Sequence, residues 1–363
     1  MSRIPRLPDV ARTVEREARH AALRTRNGIQ HATNTKPPRV DRAPKDVIWS
    51  RDRVTLYRYR LDEPRYEPPV VIFLGLVSRS YVFDLLPENS FVRELAKAGF
   101  NVYLIDWGEP DAVDGDNSFE TYVDYYLPRA LAAVRDDAGA TEVNVMAYCM
   151  GAMLALMLLG SRSDVPVRAL VLLAPPIDFA KMTVLLTPFR TPVLEPDSLI
   201  DERGLVPADV MRNAFQVRKP TSEIVHYVNV WQKLWDDKQL EGYTALTQWG
   251  RHHIPFPGRM FRQMVDMFVR DNAFRNGTAR VGGRPVNLAE IRQPVLSIVA
   301  ERDEIVPIEA AELGSLLTSS DFTEVRIPAG HVGLVMGRAS AAVTIPALTE
   351  WLAQHSDEVR DEP

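Results

Sequence analysis

The sequence predicts an α/β fold, a mostly parallel, doubly wound sheet with an inserted and mainly helical cap. Three observations carry that prediction. Short apolar, β-branched runs alternate with helical patterns from residue 53 onward. Several runs are apolar at consecutive positions, as in Val70-Val71-Ile72-Phe73-Leu74, which is the pattern of strands covered on both faces. The alternation stops after Pro175-Pro176 and resumes at Pro294, so a long internal segment adds no evident strand.

In chain order, residues 1–46 read as a basic N-terminal arm and linker. Residues 1–45 hold eleven Lys/Arg and four Asp/Glu, a net +7 against −12 for the rest of a chain whose total is −5. Such an arm is either simply solvated or able to touch an anionic surface, and the overall charge gives no reason to bind nucleic acid. Pro37-Pro38 and Pro44 mark the linker. The core occupies 47–176 and 290–363. Its expected strands are Val54–Tyr59, Val70–Leu74, Asn101–Ile105, Val143–Ala147, Ala169–Leu173, Val295–Val299 and Glu324–Ile327. Its helical spacing falls at Phe91–Ala98, Phe119–Val134, Ala152–Leu159 and Ala341–Trp351. The cap insertion, 177–289, is rich in Trp, Met, Phe and Pro, including Trp231, Trp235, Trp249, Met260, Phe261, Met264, Met267 and Phe268. These side chains either pack a core of their own or meet a ligand at the C-terminal edge of the sheet, where open α/β sheets bind.

The longest apolar run, Ala152 to Leu159, falls far short of the ~20 residues needed to span a bilayer. No secretory leader pattern is present, so no transmembrane segment is expected and the location is predicted to be cytoplasmic. A single cysteine, Cys149, excludes an intramolecular disulfide and a Cys-rich zinc site. It is either a small core residue or a nucleophile.

The segment Val143-Asn144-Val145-Met146-Ala147-Tyr148-Cys149-Met150-Gly151-Ala152 runs from a buried strand through a short turn into an apolar helix. This is the layout of a nucleophile elbow, which lifts the nucleophile above the sheet and aims a backbone N–H at the reacting carbonyl. Gly151 lets the helix approach the strand, and the helix N-terminus favours thiolate at Cys149. Ala147 stands where such a turn usually begins with glycine. Two later strands end in candidate partners: Asp303 follows Val295–Val299, and His331 follows Glu324–Ile327. Nucleophile, acid and histidine thus come in hydrolase order. Glu301 and Glu304 are fallback acids, and the pair His252-His253 is expected at the surface, not on a metal. Met150 N–H is one expected oxyanion donor; Val77 N–H, in the loop after Val70–Leu74, is the other. No metal or cofactor is expected. An acylated thiol keeps its acyl-transfer potential, so cysteine suits transfer, while serine is the commoner choice for hydrolysis.

Several stretches resemble the polyhydroxyalkanoate synthases, and in length most resemble the short catalytic subunit of the class III, two-subunit enzymes. They are Leu56-Tyr57-Arg58-Tyr59, Ser78-Arg79-Ser80-Tyr81, Val102-Tyr103-Leu104-Ile105-Asp106-Trp107-Gly108-Glu109-Pro110-Asp111, the Cys149 box, Pro175-Pro176-Ile177-Asp178-Phe179, Asp303-Glu304-Ile305-Val306-Pro307 and Gly330-His331. The resemblance implies an α/β-hydrolase fold and a catalytic triad of Cys149, Asp303 and His331. It also implies an (R)-3-hydroxyacyl-CoA substrate polymerised with CoA release through a Cys149 thioester. A homodimer, a second synthase subunit and a polyester granule surface follow as partners. Ala147, Tyr148, Ser78 and Glu304 depart from the family's usual residues. A Cys-dependent thioesterase or depolymerase, or a non-catalytic granule-associated homologue, is the alternative reading.

Overall fold

The computed structural model describes residues 38–60, 63–191, 193–216, 236–318 and 320–359, together with Glu15, 18–19, 21–23 and 25–27. Most of the basic arm, Trp231 and Trp235 lie outside the described residues. The central sheet contains β1 (Lys45–Arg51), β2 (Val54–Tyr59), β3 (Tyr66–Phe73), β4 (Phe100–Asp106), β5 (Val143–Tyr148), β6 (Val167–Leu173), β7 (Val295–Ala300) and β8 (Phe322–Ile327). Their order across the sheet is β1-β2-β4-β3-β5-β6-β7-β8. Strand β2 runs antiparallel to both neighbours, and all pairs from β4 to β8 are parallel. A two-residue strand, β9 (Asp357–Glu358), pairs with the start of β3.

Alternate residues of the parallel strands feed two separate cores, which is why these strands read as continuous apolar runs. On one face, Val71, Phe73, Val145 and Ala147 pack with helices α2 (Leu127–Ala138) and α3 (Met150–Ser161). On the other, Val70, Ile72, Leu74, Met146 and Tyr148 pack with α1 (Phe91–Lys97) and with the helix Ile345–Gln354. Every residue of α3 from Gly151 to Gly160 is buried. A helix apolar all round belongs inside the protein, and α3 lies between the sheet and the segment joining β6 to β7.

Two strands differ from expectation. Lys45–Arg51 forms an edge strand with a bulge at Val47–Trp49, and the bulge together with an exposed Val47 hides its period-2 pattern. Strand β3 begins four residues before Val70 because Pro68 and Pro69, poor strand formers, sit where its register on β4 shifts. The expected helix Phe119–Val134 starts as a π-turn at Thr121–Tyr126 and continues as α2 to Ala138.

Between β6 and β7, among the described residues, no strand joins the central sheet. This stretch holds the helix α4 (Asp237–Arg251), shorter helices, and two small antiparallel pairs, Leu205–Val206 with Phe256–Pro257 and Arg280–Val281 with Arg284–Pro285. Its Met/Phe stripe is core. Met260, Met264 and Phe268 are buried, and the Phe268 ring lies 5.5 Å from Phe119, 5.4 Å from Phe179 and 4.7 Å from Phe274. Arg26 and Asn27 in the arm both hydrogen-bond Asp237 at the start of α4. By length and composition alone, His331–Gln354 qualifies as a membrane span. It is broken into four helical pieces, however, and it buries Leu348, Trp351 and Leu352 in the second core.

Candidate active site

Strand β5 delivers Cys149 at the C-terminal edge of the sheet, and the backbone turns there within one residue. Cys149 has φ 54° and ψ −121°, a conformation that costs a non-glycine residue energy and persists only where the surroundings enforce it. The surroundings are two hydrogen bonds: Cys149 N–H donates to the Leu173 carbonyl at the end of β6, and the Cys149 carbonyl accepts from Ala152 N–H, both at 2.9 Å. A Cβ on Gly151 would lie 2.3 Å from the Phe73 carbonyl oxygen, so only glycine lets α3 start this close to β3. Ala147 is fully buried in the first core and does not have a positive φ. The turn therefore does not require glycine at that position.

Asp303 and His331 meet beside Cys149. His331 Nδ1 lies 2.6 Å from Asp303 Oδ2, and both side chains are almost wholly shielded from solvent. The other carboxylate oxygen, Oδ1, accepts the N–H groups of Ile305 and Val306, each at 2.8 Å, so one face of the carboxylate is saturated and the other is left for the imidazole. The two loops are joined by backbone bonds from Glu301 N–H to Ile327 O and from Arg302 N–H to Ala329 O, both 2.9 Å. Burial lowers the His331 pKa, but the negative charge of Cys149 and hydrogen bonds to Asp303 and Cys149 outweigh it and raise the pKa to about 10. The ring is thus held by Asp303 and lies close enough to Cys149 to feel its charge. Glu301 and Glu304, the fallback acids, are exposed.

Tyr148, one of the departures from the family's usual residues, precedes the nucleophile on β5. Its ring is buried behind His331, 5.0 Å between centroids, with the edge of Phe83 on its other side. Its hydroxyl donates to the His331 carbonyl at 3.4 Å. Burial, with the charges of Cys149 and Asp303, pushes the Tyr148 pKa far above its ordinary value, so it stays a neutral donor. Because side chains alternate along a strand, the residue before the elbow points away from the nucleophile and under the histidine.

The loop after β3 passes the first residue of α3: a Cβ on Gly75 would lie 3.6 Å from Met150 Cβ and 3.8 Å from its nitrogen. Met150 N–H, at the start of a helix, has no carbonyl one turn back to bond. Val77, partly buried, packs on the same core as Met150. The Asp-Trp-Gly run at the end of β4 holds this loop. Trp107 Nε1–H donates to Leu74 O at 2.8 Å, and Asp106 accepts from Ser80 Oγ and, at 2.8 Å, from Gly108 N–H. Gly108, at φ 71°, has no room for a Cβ beside the Arg53 carbonyl. The roles of Asp106 and Ser80 were not foreseen; the unusual Asp-Trp-Gly run was the available signal. Of the histidine pair, His252 is exposed, whereas His253 is half-buried and forms an isolated antiparallel bridge with Ser78. Among the described residues no group of His, Cys, Asp and Glu has the arrangement of a metal site.

Comparison with known proteins agrees with this fold. Residues 68–337 match the family described as alpha/beta hydrolase fold. The chain is 34% identical over 331 residues to the poly(3-hydroxyalkanoate) polymerase subunit PhaC of Allochromatium vinosum, covering 90% of this chain and 92% of that one. It is 30% identical over 336 residues to the protein of the same name from Thiocystis violacea, covering 91% and 93%. Among solved structures, epoxide hydrolase A from Mycobacterium thermoresistibile is similar in fold, with a TM-score of 0.50, 17% identity and coverage of 87% of this chain and 100% of that one. The chain therefore belongs to the α/β-hydrolase superfamily and, within it, to the poly(3-hydroxyalkanoate) polymerases.

Proposed function

We propose that this polymerase joins (R)-3-hydroxyacyl-CoA units through a thioester on Cys149, with His331 as the proton carrier and Asp303 orienting it. The observation that carries the reading is the buried His331–Asp303 pair, 2.6 Å apart, set beside the strained turn that carries Cys149, the only cysteine of the chain. The Cys149 thiolate adds to the acyl-CoA carbonyl, and the oxygen takes up the negative charge facing the N–H groups of Met150 and Val77. The bond from the carbonyl carbon to the CoA sulfur breaks, CoA leaves with the proton of the His331 imidazolium, and the acyl group remains on Cys149.

Acylation changes the histidine. The negative sulfur that helped hold its proton becomes a neutral thioester, so the ring's pKa falls and the imidazole is left unprotonated, free to accept a proton at the moment one must be taken. It accepts the proton of the 3-hydroxyl of the next hydroxyacyl-CoA as that oxygen attacks the Cys149 thioester. An ester bond forms, the thiolate is released, and the lengthened chain, now a CoA thioester, returns to Cys149 with loss of CoA. Loading of Cys149 exchanges one thioester for another, and each extension converts a thioester into an oxygen ester with release of the thiolate, so the acyl-CoA itself supplies the driving force. This reading carries with it a cytoplasmic homodimer at a polyester granule surface, working with a second synthase subunit.

The test supplies 3-hydroxybutyryl-CoA and follows both CoA and the acyl group, with a candidate second subunit present. CoA release matched by polymer is expected, and Cys149→Ala abolishes both. Free 3-hydroxybutyrate accounting for all the CoA released would make the protein a hydrolase, and no release above the Cys149→Ala background would make it non-catalytic.

A further inference from the structure

The loop that carries Val77 is held in two different ways. Its ends are fixed by the core: Leu74 O by the Trp107 indole, and Ser80 Oγ by Asp106. Its middle is held by the segment between β6 and β7. Trp249, near the end of α4, donates its indole N–H to Arg79 O at 2.8 Å. Ile254 N–H reaches Val77 O at 3.4 Å, and His253 bridges to Ser78. Around them, Arg79 Nε–H points at His252 Nε2 at 3.3 Å, and the Tyr81 hydroxyl lies 3.3 Å from His252 Nδ1. Arg79 also pairs with Glu109.

We propose that Trp249 and the turn His252–Ile254 are positioning residues for the oxyanion pocket, which is complete only while α4 is seated on the loop. The proposal rests on the assignment of Val77 and Met150 N–H as the oxyanion donors. Met150 belongs to the elbow and is fixed by the sheet. The Val77 N–H is separated by one residue's torsions from a carbonyl held by Ile254. Removing that hold frees the peptide to rotate, and a donor that must be preorganised then has to be oriented during the reaction. A backbone amide cannot be truncated by substitution, so the hold is tested through its side-chain supports. The charge pattern agrees: an Arg79 N–H needs an unprotonated ring nitrogen to accept it, and burial and Arg79 itself lower the His252 pKa, while Glu109 raises it.

The test compares Trp249→Phe, which keeps an aromatic ring and deletes the donor, with His252→Ala at an exposed position. In the full chain, with any second subunit present, Trp249→Phe is expected to lower kcat for 3-hydroxybutyryl-CoA about tenfold, less than the 10²–10³ lost when an oxyanion donor is deleted outright. KM and the melting temperature should hold. The affinity for the trifluoromethyl ketone analogue of that substrate, whose adduct with Cys149 presents an oxyanion, should fall by the same factor. His252→Ala should shift both in the same direction by a smaller factor. Alkylation of Cys149 by iodoacetamide, which develops no oxyanion, should proceed at the wild-type rate. Unchanged kcat and analogue affinity in both variants overturn the proposal, as does an alkylation rate that falls with kcat. If Cys149→Ala keeps releasing CoA, the fault lies instead in the assignment of the nucleophile.

Discussion

The two sides of Cys149 are held by different parts of the chain. On the histidine side the support comes from the sheet's own loops: Asp303 Oδ1 is saturated by the N–H groups of Ile305 and Val306, and the loops after β7 and β8 bond to each other. On the oxyanion side the loop after β3 relies on the core at its ends and on α4 and the turn after it in the middle. On the proposed roles, thiol activation rests on the sheet's own loops, whereas stabilisation of the developing charge depends on a segment that adds no strand to it. An enzyme made this way can keep its histidine–acid pair intact while letting acyl transfer depend on how the segment is seated.

Substitutions can break that contrast at different points. The largest loss is expected from His331→Gln, which removes the proton carrier from the self-contained side; kcat should fall about 10³-fold or more with α4 contacts intact. The same variant should lose a pH dependence of stability. The His331 pKa lies above its ordinary 6.5, at about 10 in the fold, so its contribution is full below about pH 6.5 and disappears as pH rises through 10. Urea titrations at pH 6 and pH 10.5 should show that loss in the wild type and not in His331→Gln. Next is Gly151→Ala, at the junction both sides share: forcing a Cβ against the Phe73 carbonyl should cost about 3 kcal/mol, the upper end for overpacking, read as a drop in the denaturant midpoint. The smallest effect belongs to Ala147→Gly. If strand geometry and not a special torsion governs this position, restoring the usual glycine should cost at most about 1 kcal/mol and leave kcat within about twofold in the CoA-release assay.

The same division decides what could be read from sequence. Cys149, Asp303 and His331 were legible because parallel strands all point their C-terminal ends to one edge, so three residues that follow three strand ends meet without knowledge of the loops between them. The core strands were legible as apolar runs because both faces of the sheet are covered. The hold on the oxyanion loop was not legible. Ser78 and His253 are far apart in sequence, and nothing in either local pattern announces a single bridge. His253 was expected at the surface on the ground that adjacent side chains diverge, and the divergence is real, but it leaves one of the pair half-buried. Tyr148 stood out in sequence only as a departure from the family's residues, and strand alternation places it beneath His331. Lys45–Arg51 escaped notice because an edge strand carries charges and its bulge breaks the alternation.

The solitary sulfhydryl has a practical consequence. Any acyl group held as a thioester on this protein has only one atom to occupy, the sulfur of Cys149, so the increase in intact protein mass after rapid quenching measures the length of the covalently held chain without peptide mapping. Successive additions would appear as a ladder spaced by one hydroxyacyl residue, and treatment with neutral hydroxylamine would return the whole ladder to a single peak. The enzyme therefore carries its own ruler for the polymer, calibrated in monomer units.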